Sequence, residues 1–185
     1  MTGSNVQCSR RWVIMILGFI LTSSTGLAHV YYVSPTGTDT NPGTSTQPWL
    51  TIQKAANTMV AGDTTIVGNG VYNERISTIR HGTPGSFITF RAEGEVILKG
   101  FVINHSDTWV EGFSITDSPS SWSQGSIHIG ANAHRAMVLN NTIYESPYPT
   151  TGLTFGSNGN QPEQAAGYCV FRGNTIRNIN GHGIT

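Results

Sequence analysis

Val138-Leu139-Asn140-Asn141-Thr142-Ile143 has two close copies in this chain: Val110-Glu111-Gly112-Phe113-Ser114-Ile115 before it and Phe171-Arg172-Gly173-Asn174-Thr175-Ile176 after it. Each copy runs apolar, any residue, Gly or Asn, Phe or Asn, Ser or Thr, Ile. The closing isoleucines fall 28 and 33 residues apart. Self-similarity at periods of roughly 20–50 residues marks a solenoid, a propeller or an array. The physical reading is a short strand with its apolar residue inward, a tight bend, and a second short strand with its Ile inward. Gly or Asn suits the bend because both tolerate positive φ.

Stacking the copies puts Val110, Val138 and Phe171 in one inward column and Ile115, Ile143 and Ile176 in another. Asn141 and Asn174 can hydrogen-bond along the stack, and Phe113 breaks that ladder one coil earlier. Each unit also holds a third strand. Ile127-His128-Ile129 turns two isoleucines in and His128 out, because side chains alternate along a strand. Leu153-Thr154-Phe155 repeats this with Thr154 out, Gly183-Ile184-Thr185 begins it again, and Val102 is the outward residue one coil earlier, between Phe101 and Ile103. The expected fold is all-β: a parallel β-helix with three short strands per coil. A seven-strand sandwich is the rival. It lacks support because no Asn-Gly or Asp-Gly turn joins alternating runs at these repeats.

Composition agrees. Of 185 residues, 11% are charged and 37% hydrophobic, with 22 Gly and 8 Pro. That charge content is less than half the usual ~25%, and it excludes a charge-rich coiled coil or a basic nucleic-acid binder. Arg10 and Arg11 precede the apolar run Trp12–Leu21, and small residues follow up to Ala28. This has the three parts of a secretory signal, and the run is about half the ~20 residues of a membrane span. Residues 1–28 are therefore expected to be a signal peptide and residues 29–185 the domain. The product is expected to be secreted or periplasmic, with no membrane association after cleavage. Removing Arg10 and Arg11 takes ten basic groups to eight against ten acidic ones, a net charge of −2. Cys169 then has no partner for an intramolecular disulfide.

One segment has helical periodicity. Ile52, Ala55, Ala56, Met59 and Val60 share a face, Thr51 is a candidate N-cap, and Gly62 can take a left-handed closing conformation. A helix of about ten residues (51–60) cannot hold alone and must lie on apolar surface.

An ordered set of motifs precedes the repeats: Tyr31-Tyr32-Val33-Ser34-Pro35, Gly37-Thr38-Asp39, Asn41-Pro42-Gly43-Thr44, Pro48–Ala56, Ala61-Gly62-Asp63-Thr64 and Gly70-Val71-Tyr72-Asn73-Glu74. This set resembles the N-terminal part of secreted right-handed parallel β-helix proteins of the pectate lyase-like superfamily. That group takes in pectate, alginate and chondroitin lyases and a related bacterial domain family of unknown function. The resemblance implies that the helix covers the N-terminal end of the solenoid, where open core and strand edges need a cap. No such device follows Thr185, so the chain is expected to be the N-terminal portion of a longer solenoid, monomeric at full length.

The resemblance implies a polysaccharide lyase that acts on a uronate-containing polymer by β-elimination. It further implies carboxylate-held calcium and a Lys or Arg base on one strand face. The outward residues His128, Thr154 and Thr185 make no calcium site, so catalytic coils are expected beyond this chain. His128, Thr154, Trp122 and Tyr148 are the candidate polysaccharide-binding residues, the aromatics as stacking platforms for pyranose rings. Lys99 and Arg91 are candidate bases whose ordinary place is an outer surface. Glu111, with Asp117, is a candidate acid–base pair whose ordinary place is a solvated edge. Asp39 and Asp63 are read as local turn residues. A non-catalytic carbohydrate-binding or cell-surface protein on the same fold is the alternative reading, and a β-helix glycoside hydrolase a third.

Overall fold

The computed structural model describes residues 27–116, 118, 125–146, 151–156, 168–179 and 181–184. All strand pairings between its named strands are parallel. After β1 (Val30–Val33) and the helix α1 (Ile52–Thr58), the chain forms β2 (Thr64–Val71), β3 (Arg75–Ser77), β4 (Ile88–Leu98) and β5 (Gly100–Ile103). It continues through β6 (Thr108–Glu111), β7 (Ser114–Ile115), β8 (Ile127–Ile129), β9 (Met137–Leu139) and β10 (Thr142–Ser146). The last strands are β11 (Leu153–Phe155), β12 (Val170–Arg172) and β13 (Thr175–Ile179). Among the described residues they make a wide sheet of nine strands and a narrow sheet of four, in the order β11-β8-β5-β3. Each coil crosses the wide sheet, bends, crosses its second half, and returns through the narrow sheet. This is a parallel β-helix.

The expected columns are present and in register. Phe90, Val110, Val138 and Phe171 stack on successive strands, as do Leu98, Ile115, Ile143 and Ile176. Phe101, Ile127 and Leu153 line the narrow sheet from inside. Phe90, Phe101 and Phe113 are fully buried and meet edge to face, with centroids 5.6 and 5.2 Å apart. Burial of each such ring stabilises by roughly 1.5–3 kcal/mol.

At the bend, Gly112, Asn140 and Gly173 hold φ of 84°, 55° and 69°, the conformation their residue types allow. In the first coils the bend does not interrupt the strand. β2 and β4 run through it as single strands of 8 and 11 residues with a register shift between Gly68 and Gly70. Three separate strands per coil therefore appear only from β6 onward. The Asn ladder forms: Asn141 Nδ2 donates to Asn174 Oδ1 at 3.1 Å. Where Phe113 replaces Asn, the Phe113 backbone N–H donates to Asn141 Oδ1 at 2.9 Å and ends the ladder.

The helix is shorter than expected. Thr51 Oγ1 caps it by accepting the Lys54 N–H at 3.2 Å. The Glu74 carboxylate takes the Ile52 and Gln53 N–H groups at 3.0 and 2.9 Å, a favourable place for negative charge. Met59, not Gly62, is the C-cap, because Asp63 Oδ2 accepts the Val60 N–H at 2.9 Å and pulls the chain out of helix. Ile52, Ala55, Ala56 and Met59 are buried as expected, but Val60 is 52% exposed. Asp39 is more than a turn residue: its carboxylate accepts from the Leu50 and Thr51 N–H groups and the Thr51 hydroxyl.

Candidate functional site

The narrow sheet turns one side to the core and the other outward. Its outward residues run Ser77, Val102, His128 and Thr154 on successive strands, paired in register. Arg75, two residues before Ser77, shares this outer side by alternation. Its partner across the sheet is Gly100. Gly100 has φ +142°, and a Cβ there would lie 2.1 Å from the Ser126 carbonyl oxygen. Without a side chain at that point, the Arg75 side chain crosses the strand and Nη2 donates to the Gly125 carbonyl at 2.8 Å, fifty residues away in sequence.

His128 and Thr154 meet as neighbours, Nδ1 to Oγ1 at 2.8 Å. Thr154 Oγ1 also accepts the Gly125 N–H at 3.0 Å. Gly125 thus links Arg75, through its carbonyl, to Thr154 and His128, through its N–H. Thr154 faces away from the core, as its register requires, but it is only 4% exposed. It positions His128 rather than presenting a surface. Burial lowers the His128 pKa below the ordinary imidazole value, and the nearby Arg75 charge adds to this. The ring is therefore neutral at pH 7. Burial also lowers the Arg75 pKa, which leaves the guanidinium charged, since an ordinary Arg titrates far above neutrality.

Trp122, Tyr148, Thr185 and Asp117 lie outside the described residues. Arg91 is bound in an ion pair with Glu111, Nε to Oε2 at 3.3 Å, on the outside of the wide sheet. Lys99 lies at the corner between the two sheets and lines a cleft of about 130 Å³ with Tyr72, Asn73 and Thr116. Arg75 is the residue that sequence reading passed over. The alternation Arg75-Ile76-Ser77, right after the motif ending at Glu74, was the available signal. Gly100 is the second: only the close approach of Ser126 explains it.

Calcium does not fit this face. Its outward described residues are Arg75, Ser77, Val102, His128 and Thr154, with no carboxylate oxygen of the kind Ca²⁺ requires. Nowhere among the described residues do three His, Cys, Asp or Glu side chains gather at metal-binding range. His81 and His105 do meet, with ring centroids 4.7 Å apart. However, His81 Nδ1 accepts the Ser106 N–H and His105 Nδ1 bonds to the Thr78 hydroxyl.

No protein-family model matches the chain. An uncharacterised protein of Bacillus subtilis (strain 168), YwoF, is 36% identical over 96 residues, which cover 44% of this chain and 20% of that protein. Among solved structures, a complex of XylC with xylose matches with TM-score 0.61 and 14% identity over 82% of this chain and 54% of that one. A rhamnogalacturonan lyase matches with TM-score 0.57 and 17% identity over 83% and 54%. The pectate lyase Pel9A matches with TM-score 0.55 and 16% identity over 72% and 45%. The chain spans about half the length of these structures and a fifth of the Bacillus protein. At such identities the likeness is one of fold. No helix among the described residues is long and apolar enough to cross a membrane.

Proposed function

We propose, from the parallel β-helix that this chain shares with a pectate lyase and a rhamnogalacturonan lyase, that it belongs to a secreted polysaccharide lyase-like protein. Its substrate would be a uronate-containing polysaccharide lying along the outer face of the narrow sheet. The observation that carries this reading is the linkage of Arg75 and His128 through Gly125. It sets a fixed cation beside a neutral imidazole on a face whose outward described residues include no carboxylate. Positive charge at that point favours an anionic sugar.

The roles follow from the chemistry. The proton α to a uronate carboxylate is weakly acidic, and positive charge nearby stabilises the enediolate that forms on its removal. Arg75 supplies that charge. His128 supplies a base of suitable basicity near neutral pH. When Nδ1–H donates to Thr154 Oγ1, the Nε2 lone pair is available to take the proton. The C–H electron pair becomes the new C4=C5 double bond, the C4–O bond to the next sugar breaks, and the imidazolium returns its proton to the departing oxygen. Calcium enters no step.

The test is ultraviolet absorbance of unsaturated uronate, followed with the full-length protein on polygalacturonate, alginate and rhamnogalacturonan. Arg75→Gln and His128→Gln should each slow the rise by on the order of a hundredfold. Absence of any rise on every uronate polymer would sink the lyase reading. Retention on those polymers without product would favour a non-catalytic binding protein.

A further inference from the structure

Asp63 and Asp107 are the buried aspartates among the described residues, each 1% exposed. Asp107 has a cation, since Arg135 donates to both of its oxygens. Asp63 is held differently. Its Oδ2 accepts the Val60 N–H at 2.9 Å, and its Oδ1 accepts the His29 N–H at 2.8 Å. Among the described residues, the basic side chain in ion-pair range is the His29 imidazole, with Nδ1 3.8 Å away on a side chain that is 64% exposed. A carboxylate taken out of water without a cation in contact is costly even when it is hydrogen-bonded.

The leader reading of residues 1–28 puts a cut between Ala28 and His29, with Gly26 and Ala28 as the small residues before it. Leu27 is 85% exposed and Ala28 is exposed too, so their removal takes no core surface from the fold. Hydrolysis by a signal peptidase breaks the Ala28–His29 C–N bond. The hydroxyl of water goes to the Ala28 carbonyl carbon and its hydrogen to the His29 nitrogen. The proton of the new carboxyl group then passes to the amine. The nitrogen that faced Asp63 as a neutral amide now carries a full positive charge at the same point. A charge-assisted hydrogen bond is roughly twice as strong as a neutral one.

We propose that export processing completes the N-terminal cap of the solenoid: the new α-ammonium of His29 pairs with the buried Asp63 carboxylate and locks the start of the chain onto the turn between α1 and β2. Backbone bonds already bring these segments together, from the Thr64 N–H to the His29 carbonyl at 2.9 Å and from the Asp63 N–H to the Val60 carbonyl at 3.0 Å. The Asp63 carboxylate thus joins the chain start, the end of the helix and the entry to β2. The uncut chain makes the same hydrogen bonds without the charge, so its first coil opens more readily, which suits a chain exported before it folds. This pairing requires the cut after Ala28 and is independent of any lyase activity.

The full-length protein, exported with its own leader, should begin at His29 on N-terminal sequencing. Hydrogen exchange then compares this product with a form that begins at Leu27. The longer form keeps the contacts of Asp63 and moves the α-ammonium about 7 Å along the chain. The Val60 and Thr64 amides report opening of this corner, and they should exchange roughly tenfold faster in the Leu27 form. In Asp63→Asn the two forms should exchange alike. The His29 amine should also react more slowly with a water-soluble acylating reagent than the Leu27 amine, a comparison that needs no variant. An exported N-terminus at another residue overturns the pairing. So do equal exchange and equal amine reactivity in the two forms, or a difference that persists undiminished in Asp63→Asn.

Discussion

Asn141 and Asn174 sit one coil apart with their amides in line, Nδ2 of the first donating to Oδ1 of the second at 3.1 Å. Each also donates backward to the carbonyl at the first position of its motif in the preceding coil: Asn141 to Val110 at 3.2 Å and Asn174 to Val138 at 2.7 Å. The bend that lets the chain turn is thus tied to the coil before it by side chains. Backbone bonds flank the same corner, from the Asn140 N–H to the Arg172 carbonyl at 2.9 Å and from the Thr142 N–H to the Phe113 carbonyl at 2.8 Å.

Asn141 is fully buried, so Asn141→Leu strands the Phe113 N–H and the Val110 carbonyl. Each orphaned group costs about 1–3 kcal/mol, and the variant should lose roughly 2–4 kcal/mol in denaturant unfolding. Asn174 is half-buried, and water replaces part of what Asn174→Leu removes. Equal losses for the two variants would contradict this account.

Gly100→Ala puts a methyl group where the Ser126 carbonyl oxygen already stands. The two strands must part, and the route of Arg75 over Gly100 closes. The variant should be destabilised by at least about 2 kcal/mol and should also lose uronate binding or turnover, measured on the fraction that remains folded. Full function with native stability would show that the close approach is unimportant.

Two histidines make stability depend on pH. Burial lowers the pKa of both His105 and His128, helped by His81 for the first and Arg75 for the second. The unfolded chain therefore binds protons more readily, starting near the ordinary value of about 6.5. The stabilising contribution is fully present above that value. It is lost as pH falls through the lower folded-state values. Melting temperatures between pH 7.5 and 5 should fall, and less steeply in His105→Gln. The same depression means that turnover should rise with pH below about 6.5 as His128 deprotonates.

Asp107 combines a φ of +55° with a carboxylate that accepts two bonds from Arg135, at 2.7 and 2.6 Å. Asp107→Asn keeps a residue type that tolerates the left-handed region. Asp107→Val does not, and should lose an additional 1–2 kcal/mol or so. Chemical denaturation of the two variants side by side checks the order.

The columns were legible because a solenoid writes its packing locally. Val110, Val138 and Phe171 each occupy the same place in a short motif, and stacking at one strand spacing converts equal place into contact. The ladder and its interruption at Phe113 could be read the same way. The helix end could not. Val60 shares the periodic face but is released by Asp63, whose carboxylate competes for its N–H after the chain has turned. The continuity of β2 and β4 through the bend was likewise hidden, since a bulge at Gly68–Gly70 leaves no separate signature from a break.

The residues of this chain determined by themselves that it coils, which side chains point in, and that His128 and Thr154 fall in one column. Those properties depend on alternation along a strand and on repeats a few tens of residues apart. Only the tertiary structure decided that Arg75 reaches Gly125 across Gly100, that Thr154 is covered, and that Tyr144 lies under Arg177. Each of these depends on how far a long side chain extends over neighbouring coils, and that distance is set by the sheet spacing and by which neighbour lacks a side chain.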